Sequence, residues 1–237
     1  MGHALLEIGL EEVPARFIEA SLNNINALLD KKLTQYRLKT DDTYIDVMGT
    51  YRRFGFIIHN IENKQPDINE TLEGPPVAIS RSESGEWLPP ALGFAKKCNV
   101  PVTELTETKN KKGQRVLSAR HSEIGQQTGH ILPKIFQDAI TGMQLPISMV
   151  WGHNTGPFIR PIKWLCTLFN DQPIDCEVFG VKSGHVSYGH RFLSASEDAS
   201  SGEPIHIKSV RDYMNQLINK NVMVDINSRR TIIKDQL

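Results

Sequence analysis

Leu5-Leu6-Glu7-Ile8-Gly9-Leu10-Glu11-Glu12-Val13-Pro14 is the stretch whose reading decides the fold. From Ala4 it reads as a strand with 5–9 as its body, closed by two acidic residues and Pro14. A proline is tolerated in the first turn of a helix, where its missing N–H would have no partner anyway, so Pro14 marks a helix start. Residues 15–38 then carry Phe17, Ile18, Leu22, Ile25, Leu28, Leu29 and Leu33 at helical spacing. Residues 43–47 alternate in polarity, and 54–61 are rich in aromatic and β-branched side chains, so both read as strands. The opening is therefore β-α-β-β, a small α+β unit whose helix covers one face of a sheet.

Further along, 65–67 is a turn-prone break, Glu73-Gly74-Pro75-Pro76 a stiff loop, and 80–90 a polar, exposed stretch punctuated by Gly and Pro. A short helix is expected over 91–98, a lysine-rich hairpin tip over 109–113 and a strand over 115–120. Residues 123–141 read as a helix broken or kinked near Pro133. Strands are expected over 147–151, 162–169, 174–179 and 222–225, a loop over 194–204 and a helix over 210–220. The last residues, from 229, start a helix with no stop signal, which points to a fragment of a longer chain. The fold class is α+β, with two mixed sheet-and-helix units in a fragment of a larger multidomain chain. The expected division is a small α+β unit over 1–65 and a larger α+β unit with exposed loops over 66–237. The boundary falls near 65–80 or in 142–150.

Composition limits the function more than it names it. Lys plus Arg equals Asp plus Glu at 27 each, so the net charge is zero and any nucleic-acid contact has to be a local basic patch. No apolar run is long enough to span a membrane, and no signal peptide is visible, so a cytoplasmic protein is expected. Cys98, Cys166 and Cys176 are odd in number and widely spaced, which argues for reduced, buried thiols.

Several short patterns put Arg or His beside Gly, Pro or an aromatic residue. Tyr51-Arg52-Arg53 precedes a strand, and adjacent residues of an extended segment face opposite ways. One arginine is then free to pair internally, for example with Glu11 or Glu12, while the other faces solvent or a phosphate. Arg160 is held on a stiff strand entry by Pro161 and followed by Lys163 and Trp164, a cation beside an aromatic that either clamps nucleic acid or joins the core. His190-Arg191 lies in Gly-His-Val-Ser-Tyr-Gly-His-Arg-Phe. His185 and His190 with Cys166 or Cys176 fit no zinc spacing and read as hydrogen-bonded turn histidines. Glu7, Glu11 and Glu12 read as solvated or salt-bridged carboxylates. No P-loop, nucleophile elbow or His-Glu-x-x-His is present, so no catalytic residue and no metal ligand is assigned.

Taken in order, 7–14, Tyr51-Arg52-Arg53, Glu73-Gly74-Pro75, Gly93-Phe94-Ala95, Leu145-Pro146, 149–152, Phe158-Ile159-Arg160-Pro161 and Gly189-His190-Arg191-Phe192 resemble the N-terminal part of the β subunits of bacterial glycyl-tRNA synthetases. Two departures are Val150, where a basic residue is common, and Gly9-Leu10-Glu11 in place of Gly-Thr-Glu. The resemblance implies an aminoacyl-tRNA synthetase of two α and two β chains. Its α subunit carries the catalytic core and uses ATP and Mg2+, while the β subunit contributes tRNA binding. It further implies modules related to the β chain of phenylalanyl-tRNA synthetase, with an HD-type domain following. This portion is then expected to be non-catalytic, to hold no cofactor of its own, and to support docking of tRNA-Gly and α–β assembly. Arg52, Arg53, Arg160, Lys163, His190 and Arg191 are the candidate phosphate contacts. The rival readings are a purely structural assembly module and, further off, an editing hydrolase of mischarged tRNA.

Overall fold

The computed structural model describes residues 1–82, 84–145, 147–151, 156–194 and 202–237. The chain opens with β1 (Gly2–Leu10), α1 (Ala15–Gln35), β2 (Tyr44–Thr50) and β3 (Arg53–Ile61). It continues through β4 (Ile68–Pro76), α2 (Val77–Ser80), α3 (Pro89–Cys98), β5 (Thr106–Lys109) and β6 (Arg115–Glu123). Then follow α4 (Thr128–Thr141), β7 (Met149–Val150), β8 (Pro157–Phe158), β9 (Ile162–Phe169), β10 (Gln172–Pro173), β11 (Glu177–Val178), β12 (Val181–Gly184) and β13 (Val186–Tyr188). The chain closes with β14 (Pro204–His206), α5 (Tyr213–Ile218) and α6 (Ile226–Asp235).

Two compact units result. Unit 1 joins Met1–Gln65 to Gln126–Leu237, and unit 2 is Pro66–Gly125. The single division into 1–65 and 66–237 is corrected here. The physical reason is β1, which pairs antiparallel with β3 on one side and with β9 on the other, so residues 162–169 complete the opening sheet. The chain leaves and re-enters unit 1 through a paired neck, where the Gln65 amide donates to the Gln126 carbonyl and Lys64 bridges Gln127.

The sheet of unit 1 runs β11-β12-β9-β1-β3-β2, and β1 is buried on both faces. Ala4, Leu6, Ile8 and Leu10 point to one face. There they meet Leu22, Ile25, Leu29 and Leu33 of α1, spaced for one stripe of a helix, and Leu132, Ile135 and Phe136 of α4. Each such side chain contributes about 1.5–3 kcal/mol by leaving water. Leu5 points to the other face, with Ile57, Leu168, Tyr213 and Leu217. Glu7 shares that face by strand alternation. Its neighbours across the sheet are Gly55 and Cys166, and the next row is Arg53, Gly9 and Trp164.

Unit 2 is a three-stranded antiparallel sheet, β4-β6-β5, whose core joins Ala91, Ala95 and Cys98 of α3 to Leu105, Leu117 and Ala119. The expected stiff loop Glu73-Gly74-Pro75-Pro76 is instead part of β4. That strand is at an edge and its register shifts between Glu73 and Pro76, which accommodates prolines that cannot donate to a ladder. The hairpin tip between β5 and β6 stands as expected. Within the segment read as an exposed stretch, Ser80 is buried and Arg81 pairs with Trp87.

The opening helix stops at Gln35, with Arg37 in the left-handed region, rather than running to 38. The helix expected from 123 starts at Thr128, because 123 is still in β6. The strand expected over 174–179 shrinks to Glu177–Val178, turned by Phe179 and Gly180 at positive φ. Residues 222–225 form no strand, although the Val224 carbonyl accepts from the Gly49 amide. The strand expected over 147–151 is limited to Met149–Val150, and Pro146, Gly152 and most of the expected loop 194–204 lie outside the described residues.

Candidate anion-binding site

The backbone of residues 10–13 ties the scattered patterns together. The Leu10 amide donates to the Arg52 carbonyl (2.8 Å), the Glu11 amide to Pro161 (3.1 Å) and the Val13 amide to Tyr51 (2.7 Å). The β2–β3 turn, the entry to β9 and the segment after β13 thus converge on the β1–α1 connection. A cavity of about 500 Å3 opens there. Its polar wall includes Arg52, Arg53, His190, Arg191 and Arg229, with Thr50, Tyr51 and Asn221. Ala15 and Ile18, from the first turn of α1, and Val222 and Met223 supply its apolar wall.

Arg53 is held by a buried network. Its guanidinium lies 3.7 Å from the Glu7 carboxylate and donates to the Ser187 hydroxyl (3.2 Å) and the Tyr188 carbonyl (2.7 Å). Glu7 in turn accepts from Ser187 (2.6 Å), from the Trp164 indole N–H and from the Tyr213 hydroxyl. Desolvation, then the Glu7 charge, pushes the Tyr213 hydroxyl well above its ordinary pKa, so it stays a donor. A buried carboxylate with three donors and a guanidinium is a satisfied structural charge, and Arg53 is committed to it.

Arg52 is different. Only 6% exposed, it has a buried Nε with no hydrogen-bond partner among the described residues, as Arg53 has, but it lacks the side-chain hydrogen bonds that hold the terminal nitrogens of Arg53. Desolvation, then the nearby Arg191 charge, lowers its pKa, with Glu11 acting the other way. Arg229 donates to the carbonyls of Met223 (2.6 Å) and Gly49 (2.7 Å), and burial lowers its pKa too. It reaches the wall because Asp225 caps α6, accepting from the Ser228 amide at 2.6 Å.

The remaining candidates surround the same connection, and two of them meet carboxylates. Arg191 is 3.7 Å from Glu12, Lys163 is 3.4 Å from Glu11, and Arg160 Nε donates to the Glu12 carbonyl at 3.0 Å. His190 Nδ1 accepts from the amides of Phe192 and Leu193, both at 3.2 Å, which fixes the turn that places Arg191. Trp164 is core. His185 faces His206 at 3.1 Å, and no group of three His, Cys, Asp or Glu able to hold a metal occurs among the described residues. Sequence reading missed Arg229, whose only signal was a pair of arginines in a tail helix, and missed the partnership of Glu7 with Ser187 and Tyr213, for which no local pattern exists.

Comparison with known proteins sharpens this picture. A family model described as glycyl-tRNA synthetase beta subunit matches residues 4–237. The glycine–tRNA ligase β subunits of Limosilactobacillus reuteri and Listeria monocytogenes are each 34% identical to 98% of the chain, and that of Limosilactobacillus fermentum is 34% identical along all of it. The chain covers 32–33% of their length, about a third of each. The chain therefore belongs to the glycyl-tRNA synthetase β-subunit family. No helix among its described residues is long and apolar enough to cross a membrane.

Proposed function

We propose that this chain is the part of a glycine–tRNA ligase β subunit that docks tRNA-Gly and supports assembly with the α subunit in a cytoplasmic complex of two α and two β chains. In this reading ATP and Mg2+ act on the α subunit, and the described residues bind and orient rather than catalyse. The observation that carries it is the cavity at the β1–α1 connection, where Arg52 is buried with an unpartnered Nε beside Arg191 and Arg229. Guanidinium forks suit phosphate oxygens, and a chain of zero net charge has to bind nucleic acid through such a local patch. The test is binding to tRNA-Gly and to an unrelated tRNA at low and moderate salt. Salt-sensitive binding supports docking, and preference for tRNA-Gly supports a part in selection.

A second reading is favoured by the carboxylates: Glu7, Glu11 and Glu12 take up Arg53, Lys163 and Arg191. On that reading the patterns are internal ties of an assembly module. Absence of tRNA binding even at low salt, with retained binding to the α subunit, would select it.

A further inference from the structure

We infer that the arginine-lined cavity receives one unpaired nucleotide of a bound RNA, with its phosphate on Arg52 and its base against Phe192. This rests on the tRNA-docking reading and narrows it from a basic surface to a site with a defined occupant.

Partner accounting comes first. The Nε of Arg53 is as unpartnered as that of Arg52, but the Arg53 terminal nitrogens have Glu7, Ser187 and Tyr188, Arg191 has Glu12, and Arg229 has two carbonyls, whereas the Arg52 guanidinium has no side-chain hydrogen bond among the described residues. A buried guanidinium left unsatisfied is unfavourable, and an anion delivered to it supplies the missing acceptor. The same wall holds the start of α1, a 21-residue helix with no side-chain cap and no acidic residue in its first turn. The positive end of a long helix adds to the preference for an anion.

Shape then selects the kind of anion. A volume of about 500 Å3 lies in the range of sites that enclose a small molecule. A duplex offers phosphates on a convex ridge with its bases turned inward, so it would leave such a concavity unfilled. An extruded nucleotide fills it and brings a ring with it. Phe192 does not line the cavity but follows Arg191 of its wall: it is 76% exposed, and the Arg191 guanidinium lies 5.7 Å from its centroid, so a base projecting from the cavity mouth meets it there. An exposed aromatic beside an arginine is a stacking platform that accepts any base.

The experiment compares a short fluorescent single-stranded RNA with the same strand closed into a hairpin duplex, each titrated with this chain. Single strand is expected to bind roughly tenfold tighter than duplex. Phe192→Ala is expected to erase most of that preference with duplex binding unchanged, and Phe192→Tyr to keep it. Arg52→Gln is expected to weaken single-strand binding about tenfold; if it does not fold, Arg191→Gln is the substitute. Equal affinity for the two RNAs, unaltered by Phe192→Ala, overturns the inference while leaving tRNA docking in place. Displacement of tRNA by inorganic phosphate without any single-strand preference overturns it in favour of a plain anion site. Failure of the unaltered chain to bind tRNA at all defeats docking and this inference together.

Discussion

The indole of Trp164 lies directly over Gly9, so closely that a Cβ on Gly9 would come within 1.9 Å of the ring. Arg53, Gly9 and Trp164 form one row across β3, β1 and β9, and the missing side chain in the middle lets the guanidinium of Arg53 stand 5.6 Å from the indole centroid. The glycine that opens the Gly-Leu-Glu pattern is therefore a packing requirement.

Gly9→Ala should accordingly destabilise unit 1 by at least about 1–3 kcal/mol through overpacking, with a shift in tryptophan fluorescence. Denaturant unfolding followed at the tryptophans measures both. An unchanged midpoint would mean that the indole moves aside freely.

Glu7→Leu leaves the buried Arg53 without its counter-charge and removes the acceptor of Ser187, Trp164 and Tyr213. The expected loss is about 3–5 kcal/mol. Thermal unfolding reads it, and a loss below about 1 kcal/mol would contradict a structural role for the carboxylate.

Asp225 gives the chain an acid-sensitive helix cap. Hydrogen bonds from Ser228 hold its carboxyl below the usual value, outweighing burial. A depressed folded pKa means that the stabilisation is present above the unfolded value of about 3.9 and is lost as pH falls through the folded one. Asp225→Asn keeps a capping side chain but removes that acid limb. Unfolding midpoints measured across that window should converge for the two proteins at low pH.

Cys176 is pushed up to about 11 by burial, and Cys166 well above its ordinary value by burial and then by the Glu7 charge. Both are protonated near neutral pH and inert. Mild alkylation of the folded chain at pH 8 should spare both, and denaturation should expose them. Rapid labelling of native Cys166 would show that unit 1 opens locally.

Arg191→Ala breaks a half-exposed pair with Glu12 and an exposed contact with the Phe192 ring, so stability should change by less than about 1 kcal/mol. If Arg191 neutralises one phosphate, the log–log salt slope of tRNA binding should fall by roughly 0.7–0.9. Arg160→Ala, which removes a donor to the Glu12 carbonyl, should likewise weaken binding without unfolding. Unaltered affinity and slope in a folded variant would strike that residue from the interface.

What could be read from the sequence was what local physics dictates. Helical spacing from Leu22 to Leu33 and the largely apolar run of β9 depend on near neighbours, and both stand in the structure. The Arg52–Arg53 pair was legible as one arginine pairing inward, but its partner is Glu7 on the adjacent strand rather than Glu11 or Glu12. Which strand lies beside β1 is a long-range outcome, and without it the insertion of unit 2 does not follow; the bond of Arg229 to Gly49, 180 residues away in sequence, is another such outcome. The prolines of β4 misled for a related reason, since a proline excludes central strands and says little about edges.

The paired neck at Gln65 and Gln126 has a kinetic meaning. Pairing β1 with β9 joins residues such as Glu7 and Trp164, 157 apart in sequence, and contacts of that separation form late. The entropy of closing a loop grows only with the logarithm of its length, about 0.6 kcal/mol for each doubling. Once the neck forms, unit 2 is removed from the search, and the central sheet closes across a much shorter effective distance. By that logarithm, growth or shrinkage of the unit inserted at this neck should change the rate at which β1 finds β9 very little.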